Sequence, residues 1–314
     1  MATSKTHDRT EFVYRSPSDR GFWYRMWFSA IQFARNKPLG MVGLVLVLAL
    51  IFMAVFAPVV APYPPAKQSL RHSLEGASSA HWMGTDALGR DVFSRLIYGA
   101  RISITVGFGA VTISAVGAAT LGIVSGYYGG LFDKILQRFV DSWQAMPGLI
   151  ILITFMGIVG RMEGINIILA MTLAIGILSI AGGSRVIRSQ VLAVKGSAFV
   201  EAAHSMGAGH ARIMWNCILP NVFPLILVNA TVGLGGVILA EAALSFLGFG
   251  VVDPNKPTWG QMLNQAQRLA SVRVQGVVWP GLFIALAVFS FNMLGDALRD
   301  LLDPRLRGAK GNFG

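Results

Sequence analysis

The chain has 314 residues, 54% of them hydrophobic and only 13% charged, with 26 Lys and Arg against 15 Asp and Glu. A soluble domain carries about 25% charged residues, so this composition excludes a disordered chain, a basic nucleic-acid-binding domain and most cytosolic enzymes. It places the chain in a bilayer. The net charge of +11 lies in the gaps between apolar runs, which assigns it to membrane topology and lipid contact. The single cysteine, Cys217, permits no internal disulfide.

In chain order, residues 1–20 carry no readable pattern. Gly21 to Lys37 then mixes Phe22, Trp23, Tyr24, Trp27 and Phe28 with Arg25, Arg35 and Lys37, which predicts an interfacial helix. A membrane-crossing helix needs roughly 20 apolar residues, because each adds about 1.5 Å against a core about 30 Å thick. Six stretches meet that requirement: Leu39 to Ala61, Ile102 to Ser125, Val140 to Val159, Gly164 to Ser184, Val222 to Phe246, and Val277 to Leu294. The first has 38 residues before it and exceeds the core of a secretory signal, so it reads as an uncleaved anchor. Pro147 and Pro224 interrupt the third and fifth, which membrane helices tolerate.

Six spans put both termini on one side. The N-terminal tail holds seven Lys and Arg, the second connection two, the fourth four and the C-terminus four, against nine in the other three connections. The positive-inside rule therefore predicts cytoplasmic termini and a long cytoplasmic connection over 185–221. The expected layout is a tail over 1–38, an anchor over 39–61, an external segment over 62–100, a five-helix core over 101–307 containing the loop 197–221, and a tail over 308–314.

In the external segment, Pro62, Pro64 and Pro65 must leave helix. The stretch DALGRDVFSRLIYGAR predicts a short surface helix capped by Asp86, with Asp91 and Arg95 paired at i, i+4. In the cytoplasmic connection, Phe199, Ala202, Ala203 and Met206 fall on one apolar helical face, and Gly207 and Gly209 interrupt it. Ala211, Met214, Trp215 and Ile218 repeat the spacing before Pro220. Two short helices joined by a glycine turn can lie on lipid or act as a peg for a soluble partner. The small alanines favour the peg.

Glu201, Ala202 and Ala203, then Gly207, position 217, Leu219 and Pro220 at their spacing resemble the EAA loop of permease subunits of bacterial ABC importers, with Cys217 where that pattern has Ile. MGTDALGRDVFSRLIYGARISI, carrying Gly84, Asp86, Gly89, Arg90 and Asp91, is similar to a signature of the dipeptide/oligopeptide class, specifically its C-type subunit. So is ILAEAALSFLGFG, carrying Glu241, together with the following Trp259 and Gly260.

The resemblance covers residues 38–307 and implies an all-α type I permease with no cofactor, metal or catalysis of its own. It further implies an unlike second permease, two ATPases that bind ATP and magnesium, an external peptide-binding protein, and a peptide cargo, in a bacterial inner membrane. It assigns Glu201 to a contact in the ATPase groove, Ala202 and Ala203 to close approach, Gly207 to a turn, and Leu219 with Pro220 to redirecting the chain into the fifth span. The same permease type also serves nickel, glutathione and other small solutes. The chain has no GxxxxGKS/T loop of its own for nucleotide phosphates.

Other features read as structural. Glu241 is the exception that stays open: an ionisable group at membrane depth points to function, yet it counts out near the outer boundary of its span, where solvation is available. The glycines of the second and fifth spans, Gly233, Gly235 and Gly236 among them, favour close helix approach. His204 and His210, six apart, fall on different helical faces, which argues against metal ligation. Asp296 and Asp300 belong to a solvated helix end. A secondary carrier would want ionisable groups at midspan and an internal repeat, and a membrane enzyme would want a motif such as HExxH or GxSxG. Neither pattern is found.

Overall fold

The computed structural model describes residues 37–302. The expected interfacial helix lies outside them but for Lys37, as do the basic residues beyond 302. The described residues are helical throughout apart from turns, loops and one isolated bridge between Thr85 and Asp91.

Helix α1 (Pro38–Val55) starts on a proline, where a missing N–H costs nothing, and is uncharged along its length. Gly43, Val47, Leu50 and Ala54 form its buried stripe. A Cβ at Gly43 would sit 2.8 Å from the Met293 Cβ on the last helix, so glycine sets that crossing distance. Lys37 pairs with Asp300, which brings the two ends of the described chain together at what is here termed the near end.

At the far end a one-turn helix (Ala57–Val60) gives way to the irregular segment to Asp91. Helix α2 (Val92–Tyr128) then returns over 37 residues, about 55 Å and far more than a span requires. The predicted surface helix from Asp86 is thereby corrected: residues 92–101 are the first turns of α2, and most of them are buried, Arg101 being exposed. Nothing between Val92 and Ile102 breaks the helix, and the ring of Trp259 fills the space beside Gly99.

The expected third span is two helices, α3 (Gly130–Ala145) and α4 (Gly148–Val159), bent by 79°. Pro147 lacks an N–H and forces Met146 into extended backbone (ψ 135°), so the helix must break there. Asp133, Lys134, Arg138 and Asp141 all lie on α3, and α4 is uncharged.

Asn166 caps α5 (Ile167–Lys195), accepting from the Ile168 and Leu169 N–H groups at 3.1 and 3.2 Å. This helix runs well past the predicted stop at Ser184. It packs along α2 through Gly122 and Gly126, where an added Cβ would meet the Ser184 carbonyl oxygen at 2.7 Å and the Val191 Cβ at 2.9 Å. Next come α6 (Ala198–Ser205), α7 (His210–Phe246), α8 (Trp259–Gln267) and α9 (Gln275–Leu302).

Five of these helices are long and apolar enough to cross a membrane, and the bent α3 and α4 pair makes a sixth if counted as one span. A large core joins α1, α2, α4, α5, α7, α8 and α9, and a smaller one gathers Tyr127, Ile187, Val191, Val200, Ala203, Ile213 and Ile218 at the near end. The outward-facing Val45, Leu48, Phe52 and Phe155 suit contact with lipid tails.

Candidate functional site

The near-end loop is built on the smaller core. Ser197 precedes α6, and Gly207, at φ +80°, ends it in the left-handed region that an L side chain rarely adopts. Val200 and Ala203 turn inward against Ile213 and Ile218. Glu201 and Ala202 are exposed, as are Phe199 (46%) and Met206 (81%). The predicted apolar face therefore splits, with Ala203 fastening the helix and the remainder facing out.

The predicted second short helix is the opening of α7, which includes a π-helical stretch over Ile213–Ile218. Leu219 and Pro220 lie inside this continuous helix, so they do not redirect the chain. Pro220 has no N–H to give the preceding turn, and the wider π turn just before it accommodates that loss. Cys217 packs only partly against the small core, and Ile218 beside it is fully buried there.

The end of α2 anchors the loop. The Tyr127 hydroxyl lies 2.8 Å from His210 Nδ1, and Lys195 Nζ donates to the Tyr127 carbonyl. His204 and His210, predicted on separate faces, have ring centroids 6.3 Å apart because the Gly207 turn reverses the chain between them.

Beside this loop α3 is pinned to α5. Asp133, only 7% exposed, receives Arg188 Nε at 2.6 Å and a second bond from Arg188 Nη2, and it also accepts from Ser125 on α2. Arg185 pairs with Asp141. Sequence reading treated these arginines as topology signals only. The eight-residue spacing of Asp133 and Asp141, which puts both on one face of α3, was the available clue.

The far-end residues form a clasp. Gly84 and Gly89 have φ of +77° and +68°. Asp86 accepts from the N–H groups of Leu88 and Arg90 and from Arg90 Nε at 2.7 Å, and lies 3.6 Å from Arg95. It therefore organises the turn before α2. The helix cap is Asp91, which accepts from the Ser94 N–H and hydroxyl, each at 2.7 Å, and meets His81 at 2.9 Å. Arg95 is thus partnered by Asp86 and the Pro65 carbonyl, and the predicted Asp91 pairing is corrected.

Arg90 reaches Gln265 on α8. Trp259 is fully buried and donates its indole N–H to the Leu96 carbonyl at 2.9 Å. Gly260 lies against the Ala242 backbone, where a Cβ would come within 2.1 Å of its oxygen. A cavity of about 410 Å³ remains between clasp and α8, lined by Glu75, Asp86, Arg90, Arg268 and Arg273 among others.

Glu241 is not at a solvated boundary. It is fully buried and accepts from Ser103 on α2 at 2.9 Å and from Ser245 at 2.8 Å. The segment 247–258 and α8 fold over this end of α7 and keep water from it.

Residues 118–308 match the family model of the binding-protein-dependent transport system inner membrane component, and residues 21–76 match that of the N-terminal TM domain of oligopeptide transport permease C. The chain is 38% identical over 291 residues, 93% of its length and 94% of the relative's, to the dipeptide transport system permease protein DppC of Alkalihalophilus pseudofirmus. It is 38% identical over 304 residues, 95% of both chains, to the di/tripeptide transport system permease protein DppC of Pseudomonas aeruginosa. The glutathione transport system permease protein GsiD of Pectobacterium atrosepticum is also 38% identical, over 94% of this chain and 95% of that one. The chain thus belongs to the binding-protein-dependent transport system inner membrane components, the permease subunits of ABC importers.

Proposed function

We propose that the chain is one of two unlike pore-forming permeases of an importer for di- or oligopeptides, and that α6 is the element through which cytoplasmic ATPases move it. The observation that carries this reading is the set of Glu201, Phe199, Ala202 and Met206 left outward on a short helix fastened by Val200 and Ala203. An uncovered helical face with a small residue at its centre fits a groove in a soluble partner. The excess of Lys and Arg at the near end puts it in the cytoplasm, with both termini.

In this assignment ATP and its magnesium belong to the two ATPase partners, and this chain contributes motion without catalysis. An external peptide-binding protein meets the far end over the polar segment 251–275. Peptide cargo is supported by the names of the relatives, since dipeptides, tripeptides and glutathione share amide chemistry.

Glu201→Ala combined with Gly207→Asp tests the role of α6. The account expects loss of ATP-driven uptake from a protein that still inserts at normal levels, because both positions are exposed and outside the long apolar helices, so the strain of Asp at the left-handed Gly207 turn stays within the loop. Normal uptake by the well-expressed double variant would contradict it.

A further inference from the structure

Glycines mark where the long helices close in. Gly122 and Gly126 draw α5 against α2, whereas a Cβ at Gly233 of α7 would meet only Val111 at 4.0 Å and one at Gly236 would meet nothing within 4 Å. This corrects the expectation of close approach at those two positions and leaves it at Gly235, near the Val288 carbonyl. Helix α3 is attached to α5 differently, by charge, and it keeps an uncovered apolar face.

The attachment sets its direction. Asp133 and Asp141 stand about 12 Å apart along α3, yet their partners Arg188 and Arg185 stand about 4.5 Å apart along α5. Helix α3 therefore runs across α5, and its 79° bend from the uncharged α4 agrees. The crossing lies at Arg185 and Arg188, just past Ser184, where the apolar run of that span ends. At that depth a crosswise helix follows the membrane surface.

Its sides sort by chemistry. At about 3.6 residues per turn, Asp133 and Val140 share the buried side, while Leu131, Phe132, Ile135 and Phe139, 51–72% exposed, occupy a second third of the circumference. Lys134 and Arg138 occupy the last third, and both are exposed. Lys134 has no ion-pair partner among the described residues, and Arg138 keeps 87% of its side chain exposed, with the Asp141 carboxylate at 3.8 Å. A bare apolar sector with aromatic rings beside a basic one is the pattern of a helix held in a headgroup layer. A protein covering the apolar sector would also have to supply acidic groups for the adjacent cations, whereas an anionic leaflet offers both surfaces at once.

We propose that α3 is an in-plane interfacial helix of the near-side leaflet, its apolar sector among acyl chains and Lys134 and Arg138 on the phosphates of anionic phospholipid. This placement uses the geometry of the near end alone and stands apart from the importer assignment.

The chain, with the subunits that co-purify with it, is reconstituted in vesicles of phosphatidylcholine and phosphatidylglycerol, in a Cys217→Ser background, with a nitroxide on Leu131→Cys, Ile135→Cys or Phe139→Cys. Collision with oxygen and with a water-soluble nickel chelate should give all three labels a common depth below the phosphates, whereas a helix along the membrane normal would spread them over about 12 Å. Such a spread, or full access to the chelate, would overturn the proposal. So would shielding from both reagents, the mark of a protein seated on that sector.

A fluorophore on Phe139→Cys reads the headgroup. Phosphatidylglycerol with brominated chains should quench it at a lipid fraction at least about threefold lower than brominated phosphatidylcholine does, since each basic residue near the surface favours anionic lipid. Lys134→Gln with Arg138→Gln should bring the two lipids together. Equal quenching in the parent, or a preference that survives both substitutions, would overturn the phosphate contact. Neither readout uses cargo or ATP, so failure of the importer assignment leaves both standing.

Discussion

Gly260 and Gly236 are both helical glycines, yet their surroundings give opposite expectations. At Gly260 an added methyl would drive into the Ala242 backbone, which cannot yield as a side chain can. Overpacking of this kind costs about 1–3 kcal/mol or more. Gly260→Ala should therefore lower the unfolding temperature in detergent, whereas Gly236→Ala should leave it unchanged or raise it, since alanine favours helix by about 1 kcal/mol. Equal effects would contradict the packing described. Trp259→Phe shrinks a fully buried ring and removes the donor to the Leu96 carbonyl, and should cost more than the about 1 kcal/mol of the bond alone, because a cavity is left as well. An unfolding midpoint indistinguishable from the parent's would remove that bond from the account. The sequence marked Trp259 and Gly260 as a pair without saying why, because their contacts, Leu96 and Ala242, are distant in the chain.

At the scale of elements, α3 is held by two ion pairs in different surroundings. Asp133 is nearly buried, so Arg188→Ala leaves an uncompensated charge and should cost about 3–5 kcal/mol. Asp133→Ala with Arg188→Ala should recover part of that loss. The exposed pair of Arg185 and Asp141 should contribute only about 0–1 kcal/mol. A double-mutant cycle by thermal unfolding measures both, and equal coupling energies would contradict the assigned burial.

Helix existence was legible in the apolar runs, but the break was not: Pro147 and Pro224 were both expected to be tolerated within a span, and only Pro147 breaks its helix. Helix length was less legible, since a charge such as Arg185 does not end a helix when a partner on α3 waits for it. The solvation of Glu241 was misread because no periodicity showed that α8 packs over the end of α7, with Gly260 against Ala242. His204 and His210 were separated by counting through a helix that the Gly207 turn interrupts. The EAA spacing located the loop, but which of its residues face outward depended on the small core beneath it.

At the scale of the molecule, the pairing of Lys37 with Asp300 brings the described ends together, and the proposed orientation has that end facing the cytoplasm. In a Cys217→Ser chain expressed without partners, Lys256→Cys should react with an impermeant thiol reagent in cells whose inner membrane is intact. Arg212→Cys should react only after that membrane is permeabilised. The reverse pattern would invert the topology and remove α6 from reach of any ATPase.

The most direct measurement for the whole account is a pull-down of this chain, in mild detergent, from cells carrying its transport system. An ATPase pair and a second, unlike permease should accompany it, and Glu201→Ala with Gly207→Asp should release the ATPases while retaining the permease. A chain that purifies alone and carries solute into liposomes without ATP would contradict the account.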